Sequence, residues 1–186
     1  DVIDRICRTP LMYAPHTERA YSDVDYMILG LIVEQVVGKR LDEYLQEGVY
    51  RRLGLERTGF RPLDIRTPPD LIAATELNGN TRDGNVGFGT RPDGSPVFIR
   101  TQTIRGQVQD EKAFYTMSGV SGHAGLFSTA DDLGVLLQLM SNEGMYQGRE
   151  YFPADVQRRF LTPDGDSETY GPVSYTHLTL PTILLV

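Results

Sequence analysis

The chain has 186 residues, a formal net charge of −7 and a pI near 4.9, and 40% of its residues are hydrophobic. This length and apolar content suffice for the core of one domain, while the acidic balance and the scattered Lys and Arg residues argue against nucleic acid as a partner. A single cysteine, Cys7, excludes an internal disulfide and a cysteine-rich metal site.

The first predicted elements are a short helix and a loop. The chain begins without Met on a run in which Val2, Ile3 and Ile6 have helical spacing, and we expect it to start inside a longer protein. No signal peptide or membrane-spanning helix is visible. Residues 9–20 contain two prolines, which break helices, and should lead as a loop into Tyr21.

An apolar helix is predicted for residues 24–37. Its apolar residues recur at helical spacing and also fill much of the opposite side, so we expect the helix to be buried nearly all round. Ser22 or Asp23 is the expected N-cap, and Gly38 is the expected end. A second helix, residues 41–53, should end at the next glycine and complete a helical hairpin.

The rest of the chain alternates irregular stretches with short elements. The irregular segment 61–105 contains one strand candidate, and a segment of this length in a compact domain is usually functional. The elements predicted from patterning and turn residues are a strand at 72–77, helices at 111–117, from Ser128 towards Gly144 and at 153–160, and a glycine-rich turn region at 118–127.

The last fourteen residues, 173–186, differ from everything before them because they carry no charged side chain. Their sequence resembles the conceptual translation of a transposase-type sequencing-library adapter. We therefore expect residues 1–172 to be a partial domain, truncated at both ends, and the tail to be an artefact that plays no part in the fold.

The tripeptide Tyr21-Ser22-Asp23 places a phenol, a hydroxyl and a carboxylate at the start of the first apolar helix. A tyrosine base must lose a proton whose reference pKa is about 10, so poising it near neutrality takes about 4 kcal/mol. A helix N-terminus supplies at most about 2 kcal/mol. Tyr21 would therefore need a nearby cation, most naturally a lysine. The plainer interpretation, an aromatic anchor followed by a helix cap, stays open.

Three stretches of this chain carry a specific likeness to a known superfamily. They are Y-S-D-V-D-Y-M-I-L-G-L-I-V-E-Q-V-V-G-K-R-L-D-E-Y-L and, further on, G-Q-V-Q-D-E-K-A-F-Y and S-G-V-S-G-H-A-G-L-F-S-T-A-D-D-L. Over residues 1–171, the chain resembles the serine beta-lactamase and penicillin-binding-protein superfamily of the class C type. The resemblance implies an α+β, beta-lactamase/transpeptidase-like fold, here a fragment with mainly the helical subdomain and long loops, most of the antiparallel sheet being absent. It also implies a periplasmic, cell-envelope or secreted location for the full-length protein.

In that superfamily a serine of an S-x-x-K motif is acylated, and the tyrosine of a second motif shares proton transfer with the lysine. Tyr21 matches this tyrosine, so the resemblance implies that it is a catalytic general base. Asp23, implied as its catalytic neighbour, stands where the superfamily usually has Asn. An ionised Asp only accepts hydrogen bonds and would raise the pKa of Tyr21 unless a lysine neutralises it. This leaves beta-lactam recognition open and is compatible with peptide or ester hydrolysis, while Asp23 as a simple N-cap is an equal alternative.

His123 lies among glycines, where close backbone approach to a site is feasible, and we hypothesise that it binds substrate. The alternative is a hydrogen bond within a tight loop. The sequence carries no motif for a metal site, a calcium loop or a nucleotide, so no cofactor and no metal are predicted.

The resulting hypothesis is a serine hydrolase whose substrate is a D-alanyl peptide, a beta-lactam or an ester. Because no S-x-x-K, K-T-G or H-T-G occurs in these residues, the chain alone is expected to be inactive. A second hypothesis is a non-catalytic relative that binds peptidoglycan or a partner protein, and the long glycine-rich loops disfavour a third, a helical interaction module without a ligand. The oligomeric state is left open.

Overall fold

The computed structural model describes residues 2–18, 20–65, 67–81, 93–96 and 98–161. The chain divides into two compact units, Asp1–Thr129 and Ala130–Val186. The tail expected at 173–186 lies outside the described residues, as does much of the turn-rich part of the predicted irregular segment.

The first unit begins with helix α1, Val2–Arg8, and helix α2, Asp23–Val37. As predicted, α2 ends at Gly38, whose backbone is left-handed with φ 66° and whose N–H donates to the carbonyl of Glu34 at 2.9 Å. Ser22 occupies the N-cap position with an extended backbone, but its side chain makes no capping hydrogen bond. The N-terminus of α2 therefore begins at the expected place without the expected cap.

The second predicted helix forms, but it is not regular. An α-helical segment α3, Leu41–Leu45, continues as a π-helical turn, Gln46–Tyr50, and then as a short α-helical segment α4, Arg51–Leu53. Tyr50, at the end of the π turn, is buried, whereas Tyr44, in the α-helical segment before the turn, is 38% exposed. Burial raises the pKa of Tyr50 to about 12.

The expectation that α2 is buried nearly all round is wrong. Only Met27 and Gly30 of this helix are buried, whereas Leu29 is 54% and Val36 80% exposed. Sequence periodicity reports which side chains are apolar, not which of them find a partner. Within the described chain, elements pack against one side of α2 and leave a broad apolar face in contact with solvent.

The strands of this unit are short antiparallel pairs. Strand β1, Gly59–Phe60, pairs with β4, Leu126–Phe127, and strand β2, Ala74–Glu76, pairs with β3, Ile104–Arg105. The strand predicted at 72–77 is thus present in shortened form. Two 3-10 turns, Pro69–Leu71 and Gly79–Thr81, flank it. Helices with short antiparallel strands agree with the α+β class expected.

A buried arginine organises the irregular connection. Arg100 is 1% exposed, and its guanidinium donates to the side-chain oxygen of Asn80 at 2.9 Å and to the carbonyls of Val108 and Gln109 at 2.8 and 3.0 Å. It also lies 3.7 Å from the centre of the Phe114 ring, a cation–π contact. Desolvation lowers the pKa of Arg100. These contacts fix the segment that leads into the next helix, α5, Glu111–Thr116.

The second unit contains helix α6, Ala130–Ser141, the hairpin of β5, Met145–Tyr146, and β6, Arg149–Glu150, and helix α7, Ala154–Leu161. Helix α6 begins two residues after the predicted Ser128, whose hydroxyl hydrogen-bonds that of Thr58 at 2.7 Å. Leu139 is the buried residue of α6, whereas Leu137 is 64% exposed. None of the described helices is both long and apolar enough to span a bilayer.

Candidate active site

The N-terminus of α5 is positioned by an acidic cap. Asp110 precedes the helix, and its side-chain oxygen accepts a hydrogen bond from the backbone N–H of Ala113 at 2.8 Å. The cap directs the first turn of α5 towards the start of α2. There the Nζ of Lys112 lies 2.8 Å from the Oδ2 of Asp23, a hydrogen-bonded ion pair between residues 89 positions apart.

This ion pair connects to Tyr21. The pKa of Asp23 is held below its ordinary value by the hydrogen bond from Lys112 first, and also by the charge of Lys112 and a hydrogen bond from Tyr21, which together outweigh desolvation. The hydrogen bond to Asp23 raises the pKa of Lys112. Both partners are therefore ionised at neutral pH. Tyr21 is 77% exposed, so its phenol is accessible from solvent.

The alternative in which Asp23 is simply the N-cap of α2 is wrong. Ser22 holds the cap position, Asp23 is the first helical residue, and its carboxylate is engaged by Lys112. A negative charge in the first helical turn still interacts favourably with the helix dipole. The catalytic roles of Tyr21 and Asp23 stay predictions.

A pH titration measures the Asp23–Lys112 contact directly. Because the pKa of Asp23 is lowered in the folded chain, the pair contributes stability above the unfolded-state pKa of about 3.9, and this contribution disappears as the pH falls through the folded-state pKa. We expect the carboxyl carbon resonance of Asp23 to titrate below that value, and in Lys112→Met to titrate higher. An unchanged titration in Lys112→Met would contradict the contact.

His123 is held inside a hydrogen-bonded chain. Its Nδ1 lies 2.8 Å from the hydroxyl of Ser121 and its Nε2 lies 2.8 Å from the Oδ1 of Asp110, and the side chain is 4% exposed. Both ring nitrogens are thus occupied, which favours the loop-stabilising alternative. A substrate-binding role for His123, which lines a mainly apolar cleft of about 340 Å³, stays a prediction that requires the ring to exchange partners.

The series Ser121, His123 and Asp110 contains the residue types of a serine-protease triad. Ser121, however, is 4% exposed, and its hydroxyl is bonded to a histidine two residues away on the same turn. A nucleophile must reach the carbonyl carbon of a substrate. Ser121 is therefore a structural member of the loop in this arrangement, and the network ties that loop to the cap of α5.

One triple of potential metal ligands occurs in the described part of the chain. Ligand atoms of Asp23, Asp110 and His123 lie within 4.8 Å of one another. Each already has a partner, since Lys112 binds Asp23 and Asp110 binds His123. An ammonium at 2.8 Å supplies the positive charge that a metal ion would supply, and it would repel one. The residues therefore do not fit a metal centre.

The loop of His123 lies against α2 through a glycine. A Cβ added at Gly122 would overlap the carbonyl oxygen of Tyr26, and one added at Gly30 would come to 3.0 Å from the backbone nitrogen of Gly122. Only a residue without a side chain permits this approach of two backbones.

We expect Gly122→Ala to lower the free energy of unfolding by about 1–3 kcal/mol, because the overlap forces the loop away from α2. Gly134→Ala is the control, since nothing lies within 4 Å of its added Cβ in the middle of α6. Alanine favours a helix over glycine by about 1 kcal/mol, so this variant should be as stable as the parent or more so. Urea unfolding measures both, and equal stabilities of the two variants would contradict the close approach.

Sequence reasoning proposed Tyr21, Asp23 and His123 as site residues. The structure places Asp23 in contact with Tyr21 and in one cluster with His123 and two residues that the sequence did not indicate. The missed residues are Lys112 and Asp110. The start of α5 was predicted, so Asp110 could have been found as its cap. Nothing in the sequence could have paired Lys112 with Asp23 across 89 positions.

Known proteins are similar to this chain in sequence. A family profile described as Beta-lactamase matches residues 1–176. A protein of Escherichia coli (strain K12), provisionally named a D-alanyl-D-alanine carboxypeptidase, is 52% identical over 169 residues, which are 91% of this chain and 37% of that protein. The chain thus spans little more than a third of this relative.

Solved structures give the same fold at lower identity. The penicillin binding protein from Bacillus halodurans aligns with a TM-score of 0.53 and 20% identity, over 87% of this chain and 40% of its own. The hydrolase EstCE1, described as having promiscuous acyltransferase activity, aligns with a TM-score of 0.55 and 24% identity, over 90% of this chain and 41% of its own.

Proposed function

This chain belongs to the beta-lactamase family, and from that premise we propose that it is part of a serine acyl-transfer hydrolase in which Tyr21 is the general base. The observation that carries the proposal is the contact of Asp23 with both Tyr21 and Lys112. A carboxylate beside a phenol base disfavours the phenolate unless a cation neutralises it, and Lys112 neutralises Asp23 at 2.8 Å. The further cation that a phenol base near neutrality needs would be the lysine of the S-x-x-K motif. The exposure of Tyr21 leaves room for a substrate.

In the proposed reaction, a serine hydroxyl attacks the carbonyl carbon of the substrate while Tyr21, as phenolate, takes the hydroxyl proton. The carbonyl carbon gains a bond to the serine oxygen and loses its bond to the leaving group, to which Tyr21 returns the proton. Water then releases the acyl group by the same exchange. Ser121 does not supply this serine in the arrangement described, because it is buried.

We propose a D-alanyl peptide of the cell wall as the substrate, and hence a periplasmic or cell-envelope location. Support comes from the E. coli relative, whose name specifies a D-alanyl-D-alanine carboxypeptidase. Esters and beta-lactams, which present the same acyl carbon, are the other substrate classes to assay.

The nucleophile is proposed to lie on further polypeptide. No S-x-x-K occurs among the 186 residues, and the chain corresponds to 37% of the E. coli relative. The exposed apolar face of α2, which includes Leu29, Ile32 and Val36, is a surface that soluble domains normally cover. Additional chain packed there would complete both the core and the active site.

We expect the 186-residue chain alone to hydrolyse neither nitrocefin nor a D-Ala-D-Ala peptide, and not to be labelled by a fluorescent penicillin. A longer polypeptide that adds an S-x-x-K segment should release D-alanine and accept the label on that serine. Turnover by the chain alone would refute the placement of the nucleophile. Peptide binding by the longer polypeptide without D-alanine release would instead support the second hypothesis, a non-catalytic peptidoglycan-binding relative.

A further inference from the structure

Neither the resemblance nor the proposed reaction gives Lys112 a contact with the substrate. Its ammonium carries three N–H donors, and Asp23 accepts one of them at 2.8 Å. Its side chain is 52% exposed, whereas that of Asp23 is 24% exposed. The donors not used by Asp23 are therefore accessible from solvent, as the side chain of Tyr21 is.

We propose that Asp23 and Lys112 act together as a substitute for a single amide group, with Asp23 as the acceptor and Lys112 as the donor that binds the carbonyl oxygen of the substrate. The inference rests on the proposed function, since it assumes that a substrate carbonyl is presented at Tyr21. An amide side chain is neutral and has both an acceptor oxygen and donor N–H groups. The ion pair is neutral as a whole and offers the same two functions on two residues.

Charge neutrality is the first requirement. A bare carboxylate next to Tyr21 would disfavour the phenolate, because like charges raise the pKa of an acid. Lys112 cancels that charge at 2.8 Å. The other charged or titratable groups that act on the pair are Asp110 and Glu111 at the start of α5 and His123 in the glycine-rich loop. The ring of His123 is hydrogen-bonded to Asp110. The cation in direct contact with Asp23 is Lys112.

A donor to the substrate is the second requirement. An ionised carboxylate cannot donate a hydrogen bond, so Asp23 alone could not orient a carbonyl oxygen. A charged donor forms a short, strong hydrogen bond with such an oxygen and gains strength as negative charge develops on it. Lys112 is the group in contact with Asp23 that can supply this bond.

Four variants of the active full-length polypeptide test the pairing. Lys112→Met should lower kcat/KM about 10- to 100-fold, the loss expected for a hydrogen bond to a charged group, and should move the acidic limb of the pH–kcat/KM profile to higher pH. Lys112→Arg should recover most of the activity. Asp23→Asn combined with Lys112→Met restores a neutral donor and acceptor at position 23, so it should recover activity and the original limb. Asp23→Asn alone leaves Lys112 without its counter-charge beside Tyr21, so the acidic limb should move to lower pH.

The matched control is Lys39→Met. Lys39 forms an ion pair of similar length, 2.7 Å, with Glu47 and is equally exposed, but it lies at the helical hairpin. Lys39→Met should leave kcat/KM and the pH profile unchanged. Because exposed ion pairs contribute little to stability, both lysine variants should fold, which circular dichroism checks.

A titration of the chain itself gives a second measurement that needs no activity. With tyrosine labelled at Cζ and the Tyr21 signal assigned by Tyr21→Phe, the phenol pKa should be higher in Lys112→Met than in the parent. The inference is overturned if Lys112→Met leaves the pH limb and this phenol unchanged, or if the double variant is no more active than Lys112→Met. If Tyr21→Phe retains full activity, the proposed function itself fails, whatever Lys112 does.

Discussion

Replacing Tyr21 by phenylalanine should lower kcat/KM of the active full-length polypeptide about 10²- to 10⁴-fold, the contribution typical of a positioned general base. The substitution removes a single oxygen from a side chain that is 77% exposed, so folding should be unaffected. The loss should appear mainly in kcat, because proton transfer is required in the transition state rather than for binding. Release of D-alanine from a D-Ala-D-Ala peptide, measured across pH, gives both constants.

Tyr26→Phe is the matched control for this prediction. Tyr26 is 55% exposed on α2, one turn after Asp23, and its backbone carbonyl lies against Gly122 of the glycine-rich loop. It should retain parental kinetics. Equal activities of the Tyr21→Phe and parent proteins would remove Tyr21 from the reaction and leave the family membership untouched.

Replacing Arg100 by methionine should lower the free energy of unfolding by about 3 kcal/mol. Each hydrogen bond to a buried charged group contributes about 1.5–3 kcal/mol to stability. Methionine also avoids the cost of burying the guanidinium charge, and this gain offsets part of the loss of those hydrogen bonds. The carbonyl of Val108 and the side-chain oxygen of Asn80 lose their donor inside the protein. Chemical denaturation monitored by circular dichroism measures the change.

Arg8→Met is the comparison for Arg100. Arg8 pairs with Asp4 one turn earlier in α1, at 2.9 Å, and its side chain is 79% exposed. An exposed helical pair of this kind contributes about 0.3–0.5 kcal/mol. Arg100→Lys should be destabilising as well, because a lysine cannot reproduce the fork of donors. A stability change in Arg100→Met no larger than that in Arg8→Met would contradict the organising role of Arg100.

Local patterns predicted the helical elements well because their causes are local. Glycines at 38 and 54 end the first two long helices in left-handed conformations, as their position after the apolar runs indicated. The short helix at α5 and the strand β2 were also found, with small errors at their ends. The π turn at Gln46–Tyr50 was missed because nothing in its residue types distinguishes it from an α-helix.

The resemblance of the residues around Y-S-D indicated the family, and the comparisons confirm it. The predicted burial of α2 was wrong for a different reason. Apolar composition fixes which side chains gain from burial, but the amount buried depends on the partners present, and the described chain covers only one side of this helix.

By itself, the sequence determined most of the helices, the family and the condition that Tyr21 needs a cation beside it if it is to act as a base, because helix signals are local and a phenol pKa follows from the chemistry of one group. Only the tertiary structure decided which cation is in contact with Asp23. Lys112 reaches it because the Asp110 cap and the hydrogen bonds of His123 and Arg100 fix the approach to α5. Such a contact joins distant segments whose separation in space depends on every element packed between them.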